Sequence, residues 1–165
     1  GVIGLMAVQL AKLAGTKVLL LTRSPEKQTL GLNIGADYAV GTESEVRAIW
    51  PEGADLVVEC AGVSATVTLS HKLARSGGRV VILGVISQGE QVPIEPFDML
   101  FREIQMHFSF LNPFTHERAA KMIANGSINV SLLVSRIISL EEAALAISSP
   151  PPKGEVRAIV VPNHD

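Results

Sequence analysis

The sequence predicts an α/β fold: a doubly wound parallel sheet with helices on both faces. Two observations carry this. Short runs such as Lys17 to Thr22 (KVLLLT), Asp55 to Cys60 (DLVVEC) and Arg79 to Leu83 (RVVIL) are apolar without strict alternation, the pattern of strands covered on both faces. The stretches between them carry helix starts and stops, so strand and helix alternate as in βα units. The chain has 165 residues, 47% apolar and 18% charged. That is a globular composition, neither disordered, collagen-like nor coiled-coil.

In chain order, residues 2–14 (VIGLMAVQLAKLA) are apolar nearly all round, with only Gln9 and Lys12 polar. A helix of this kind is expected to be buried rather than amphipathic. Gly4, Ala7, Ala11 and Ala14 form a stripe of small side chains that lets the helix approach a sheet closely. Gly15 is its stop, and Lys17 to Thr22 is a strand. Ser24-Pro25-Glu26 starts a helix, with Ser as N-cap, Pro at N1 and an acid in the first turn. That helix runs to about Asn33, although Gly31 inside it costs roughly 1 kcal/mol against Ala. Residues 37–40 form a short strand, residues 43–49 a helix of about two turns closed by Pro51, and residues 55–60 a buried strand. Residues 65–74 form a helix, Ser76-Gly77-Gly78 a turn, and residues 79–83 a strand ending at Gly84. Residues 93–97 are a loop and residues 98–101 a turn of helix. A strand follows at Ile104 to Phe108, expected at a sheet edge, then a helix at 116–125 closed by Gly126. The tail departs from the rhythm: a helix at 140–147, a stiff Pro-rich connection at 148–154, and a last strand at 156–161.

Composition also excludes partners. Net charge is −2 with no Lys/Arg run, so no phosphate-tracking surface for nucleic acid is expected. Aromatics are 4%, too few for a stacking platform. The longest apolar run, around Val18 to Leu21, is too short to span a bilayer, and Gly1 to Met6 does not read as a signal peptide. A single cysteine, Cys60, excludes an intrachain disulfide and any CxxC metal site. It fits a reducing compartment, so a cytoplasmic location is expected. His71, His107, His116 and His164 are scattered without ligand spacing. Each is expected at the surface or in a loop, Cys60 as a small buried hydrophobe, and no metal-binding or catalytic residue is expected.

Several segments together resemble one family, the medium-chain dehydrogenases/reductases, in their zinc-dependent alcohol and polyol (sorbitol-like) branch. Gly1-Val2-Ile3-Gly4 through Lys12 is similar to that family's nucleotide-binding turn and first helix. Residues 33–37 (NIGAD), 58–62 (VECAG), 77–85 (GGRVVILGV), 140–144 (LEEAA) and 156–162 (VRAIVVP) match later landmarks in order. The resemblance covers essentially the whole chain and implies a Rossmann-like fold. It also implies that the chain starts one strand late. The family's first, central strand, its catalytic domain and all its catalytic zinc ligands precede this point. Residues 1–133 are then an N-terminally truncated nucleotide-binding domain, and residues 134–165 a segment returning to the absent catalytic domain. Strands 17–22 and 55–60 are expected to flank the missing strand without pairing to each other. The chain is expected to be a fragment, inactive by itself.

The resemblance implies a coenzyme site residue by residue. Gly1, Val2, Ile3 and Gly4 correspond to the end of a glycine-rich turn, where a free helix N-terminus meets a pyrophosphate. Ala61, Gly62 and Val63 match the adenine wall. Gly84 and Val85 match backbone beside the nicotinamide ribose. Ser109, Phe110 and Leu111 match the segment that meets the carboxamide, although Phe108 stands where the family usually has Gly. Arg157 matches an arginine that contacts the pyrophosphate in some members. In dinucleotide folds an acid at the end of the second strand takes the ribose hydroxyls. Here that position is Thr22, followed by Arg23 and Ser24, with Lys27 one turn into the helix. A hydroxyl beside a guanidinium suits a 2′-phosphate, so NAD(P) is expected with NADP slightly favoured; the plain alternative makes Arg23 a solvated loop residue and Ser24 only a cap. Asp37, Asp55 and Glu59 have no expected chemistry, and Glu59 is structural in the family.

The implied activity is hydride transfer between the nicotinamide and a secondary alcohol or ketone in the full-length enzyme, with zinc only in the absent catalytic domain. The edge strand 104–108 would pair copies into a homodimer or tetramer. Two other readings stay open here: a zinc-free quinone-reductase relative, and a nucleotide-binding module without hydride chemistry.

Overall fold

Residues 1–162 are described by a computed structural model, and His164 lies outside the described residues. The element order is α1 (Val2–Leu13), β1 (Leu19–Leu21), α2 (Pro25–Asn33), β2 (Tyr38–Val40), α3 (Glu43–Ile49), β3 (Ala54–Glu59) and α4 (Ser64–Leu73). There follow β4 (Ala74–Ile82), α5 (Pro96–Phe101), β5 (Gln105–Phe108), α6 (His116–Ala124), a 3-10 turn (Ser131–Leu133), β6 (Val134–Ile138), α7 (Leu140–Ser148) and β7 (Arg157–Val160). All strand pairs are parallel. They form three sheets among the described residues, in the orders β1-β2, β3-β4-β5 and β6-β7. β1 and β3 do not pair with each other, as expected, and lie in different sheets. β5 is the edge of its sheet, also as expected.

Local signals account for most element ends. Ser24 caps α2 by accepting from Lys27 N, with Pro25 in the first turn. Thr42 and Glu45 form a reciprocal capping box on α3, which stabilises a helix whose length alone would leave it marginal. Gly15 and Gly126 take φ of 78° and 74° after α1 and α6. Gly31 is not merely a weak point of α2. A Cβ there would overlap Leu20 Cδ2, so its absence lets α2 lie close on β1. Asp37 joins α1 to β2: its carboxylate pairs with Lys12 at 2.8 Å and accepts from Val18 N at 2.6 Å.

Four expectations are corrected. The helix at 2–14 is not buried all round. Leu5, Val8 and Gln9 are buried, while Ile3, Leu10 and Leu13 are exposed, because a helix laid on one face of a sheet buries only the stripe that meets it. The strand at 55–60 is likewise uncovered on one side, with Leu56 and Val58 exposed. Ser76-Gly77-Gly78 does not precede the next strand but lies inside β4. Ala54 pairs with Ala74, and the register resumes at Leu56 with Arg79. The extra residues bulge out, helped by Gly77 at φ 69°. Finally, residues 134–138 are a strand, so the tail continues the rhythm as a β6-α7-β7 unit.

Two apolar clusters hold the core. Val67, Ala74, Val80 and Ile82 pack with Val57, Ile104 and Met106 between α4 and the larger sheet. Val40, Val46 and Leu73 pack with Leu19, Leu21 and again Val57, which ties β1 and β2 to the β3-α4 side.

Candidate functional site

Parallel pairing brings the carboxyl ends of β3, β4 and β5 to one edge, where an open α/β sheet holds its ligand. Three of the expected segments leave from it: Ala61 to Val63 after β3, Gly84 and Val85 after β4, and Ser109 to Leu111 after β5. The N-terminus of α1 comes to the same edge. A Cβ on Gly4 would lie 3.6 Å from Cys60 Cβ. Gly1 is its N-cap. Val2 and Ile3 form the first turn.

The loops after β3 and β4 interlock through backbone. Gly62 has φ 68°, and a Cβ on it would fall 2.6 Å from Val85 O. A Cβ on Gly84 would fall 2.5 Å from Gly62 Cα and from Glu59 Oε2. Glu59 ties the two loops together. Its main-chain oxygen accepts from Leu83 N and Gly84 N at 2.9 and 3.1 Å. Its Oε1 accepts from Ala61 N at 2.7 Å, Gly62 N at 3.0 Å and Thr66 Oγ1 at 2.7 Å. Glu59 is buried and its Oε2 has no partner among the described residues. Its role is positional, as the resemblance implied. The sequence signal for it was an acid ending an apolar strand just before Ala-Gly.

The segment after β1 is ordered by its own backbone contacts. Thr22 N donates to Val40 O at 2.9 Å, and Thr22 O accepts from Gln28 Nε2 at 2.8 Å. Thr22, Ser24 and Lys27 are half-buried and Arg23 is exposed. Ser24 Oγ also donates to Glu26 Oε2 at 2.7 Å, a contact the sequence reading missed. After β5, Ser109 N donates to Ile82 O at 3.1 Å. Phe108 pairs with Ile82 as ordinary strand, so this backbone has no need of the family's glycine. The departure falls later, at Leu111 and Phe114, each at φ 60°, a conformation unusual for large side chains. Arg157 stands apart from the rest, exposed on β7 of the third sheet.

The titratable groups nearby do not form a reaction centre. Burial, and then the Glu59 charge, push the half-buried Cys60 thiol up to about 11, which makes it a poor nucleophile. His107 and His116 are exposed as expected, but His71 is a correction, being fully buried on α4. α4 packs against both β3 and β4, so its inward positions are covered whatever their polarity. Among the described residues no three His, Cys, Asp or Glu side chains are grouped to hold a metal ion, and no helix is long and apolar enough to cross a membrane.

Comparison with known proteins gives the same frame. A family model for zinc-binding dehydrogenases matches residues 2–126. D-arabinitol dehydrogenase 1 of Uromyces fabae is 28% identical over 99% of this chain and 50% of that protein. Sorbitol dehydrogenase of Gallus gallus is 28% identical over 90% and 44%. Among solved structures, a Sinorhizobium meliloti 1021 protein with NADP bound superposes with a TM-score of 0.94 at 50% identity, covering 98% of this chain and 50% of that one. The chain spans about half the length of the curated relatives it matches.

Proposed function

This chain belongs to the zinc-binding dehydrogenase family, and on that premise we propose that it is the coenzyme-binding part of an NAD(P)-dependent alcohol or polyol dehydrogenase that prefers NADP. The observation that carries the reading is the convergence at one sheet edge of the first turn of α1, where Gly4 packs close to Cys60, and the interlocked Gly62 and Gly84 loops. Backbone N–H groups and a helix N-terminus there suit a pyrophosphate. In this reading Gly1 to Gly4 hold the pyrophosphate, Ala61 to Val63 flank the adenine, and Gly84, Val85 and Ser109 to Leu111 line the nicotinamide side. Arg157, on the separate β6-β7 sheet, is proposed as a pyrophosphate contact on the resemblance alone. Residues 1–133 form the nucleotide-binding domain, and residues 134–165 lead back to the catalytic domain.

When bound, the nicotinamide exchanges a hydride with a secondary alcohol or ketone. This chain's residues bind and orient the coenzyme, and none is assigned to the chemical step. The described residues do not fit a zinc ion, so any catalytic zinc is held elsewhere in the full-length protein, and residues 1–165 alone are expected to be inactive. The lone cysteine supports a reducing, cytoplasmic compartment. The exposed edge strand β5, with Phe108 and Phe110 exposed beside it, supports assembly into a homodimer or tetramer through residues 104–108.

The preference for NADP rests on Thr22, Arg23 and Ser24, where no acid ends β1, and is supported by the NADP-bound relative at 50% identity. Titration of the full-length protein with NADPH and NADH tests it. Thr22→Asp is expected to weaken NADPH by about 1–3 kcal/mol, the scale of a hydrogen bond to a charged group, while NADH holds or improves. Arg23→Ala is expected to weaken NADPH selectively. Wild-type preference for NADH, with Arg23→Ala changing neither affinity, would defeat the reading.

A further inference from the structure

The segment expected to receive a 2′-phosphate carries an acid of its own. Ser24 has one hydroxyl proton, and it is donated to Glu26 Oε2 at 2.7 Å. A phosphate seated on Ser24 would have to take that proton and lie next to the Glu26 carboxylate. Taken alone, Glu26 therefore works against a dianionic ligand.

The fold supplies a countercharge from far along the chain. Lys153, in the Pro-rich connection between α7 and β7, places its Nζ 3.3 Å from Glu26 Oε1. The contact is more than one long side chain reaching across. A Cβ on Gly154, which has φ 81°, would lie 3.3 Å from Glu26 Cγ, so the connection's backbone lies against the Glu26 stem. The connection is anchored in turn. Glu155 N donates to Pro152 O at 3.0 Å, and the Glu155 carboxylate pairs with Arg136 of β6 at 2.5 Å. Ser24 and Lys153 also hold the Glu26 carboxyl below its usual range, after its own backbone amide, so Glu26 is charged at neutral pH.

We propose that Glu26 and Lys153 together tune coenzyme choice at this site: Glu26 disfavours a 2′-phosphate on Ser24, and Lys153 cancels that bias by neutralising it. The inference rests on the coenzyme reading above. Lys153 acts through Glu26 and is a positioning residue for selectivity, with no part in the chemical step.

The test is the dissociation constants of NADPH and NADH, measured by fluorescence titration on the full-length protein at low and high salt. Wild type is compared with Glu26→Gln, Lys153→Ala, the double variant and Arg23→Ala. Lys153→Ala is expected to weaken NADPH by about two- to fivefold, the range of an exposed charge interaction, and to leave NADH unchanged. Glu26→Gln is expected to tighten NADPH by a similar factor. In the Glu26→Gln background, Lys153→Ala should lose its selective effect, and added salt should shrink every one of these differences. Unchanged NADPH-to-NADH ratios in both single variants, with Arg23→Ala still selective, overturn the inference and leave the coenzyme reading standing. A Lys153→Ala effect that persists undiminished without the Glu26 charge also overturns it, because Lys153 would then meet the phosphate directly. If wild type prefers NADH and Arg23→Ala is silent as well, the NADP reading fails and the inference fails with it.

Discussion

Gly84 offers the sharpest test of how the site is built. In Gly84→Ala the new Cβ would stand 2.5 Å from Gly62 Cα and 2.5 Å from Glu59 Oε2. That is about 1 Å inside the ~3.5 Å at which such atoms attract. Neither neighbour can turn aside as a flexible side chain would. Gly62 is backbone with its own φ of 68°, and Glu59 is buried and held through Oε1 by two amides and a hydroxyl. The two loops must part, and the bonds from Leu83 N and Gly84 N to Glu59 O stretch as they do. Overpacking of this kind costs about 1–3 kcal/mol, and the backbone contacts put Gly84 at the upper end. At about 2–4 °C per kcal/mol for a chain of this size, the melting temperature should fall by roughly 6–12 °C. Thermal melts followed by circular dichroism, with and without NADPH, measure it. A Gly84→Ala protein that melts within about 1 °C of wild type would refute the interlocked-loop reasoning.

Two more predictions concern buried polar groups. His71 is buried with neither ring nitrogen bonded among the described residues. Burial, with Lys72 and Arg102 adding to it, lowers its pKa against the opposing pull of Asp98 and Glu95. The unfolded ring titrates near ~6.5, so the unfolded state binds more protons just below that pH. The associated stability is present above ~6.5 and is lost as pH falls through the depressed folded value. His71→Leu should flatten that acid slope and, at neutral pH, match or exceed wild type by up to about 1–3 kcal/mol, the cost of an unmet buried polar group. Urea midpoints at several pH values check this, and an unchanged slope would sink it. Gln9 on α1 binds both backbone groups of Asn129, accepting from its N–H at 2.8 Å and donating to its oxygen at 3.1 Å. Gln9→Ala should cost about 1–3 kcal/mol and raise hydrogen exchange around residues 128–133 more than in the interior of β4.

The sequence by itself determined what depends on neighbours a few positions apart. Apolar runs marked β1, β3 and β4, Ser24-Pro25 marked the start of α2, Gly15 and Gly126 marked the ends of α1 and α6, and alternation of strand and helix marked the parallel sheets. The same order of segments carried the family resemblance, and with it the expected coenzyme contacts. Only the tertiary structure decided what depends on distant pairing. Whether Ser76 to Gly78 is a turn or a bulge turns on where Ala54 and Leu56 find partners in β4. That residues 134–138 form a strand turns on β7, on the far side of α7. His71 reads as a surface residue and the apolar α1 as a buried helix, yet His71 is buried and half of α1 is open, because burial depends on which layer lies opposite. Glu59 became the tie between two loops, and Glu26 acquired Lys153, through contacts that no local window contains. Local propensity sets the elements; the sheet edges and loop crossings, which join residues far apart in the chain, set the site.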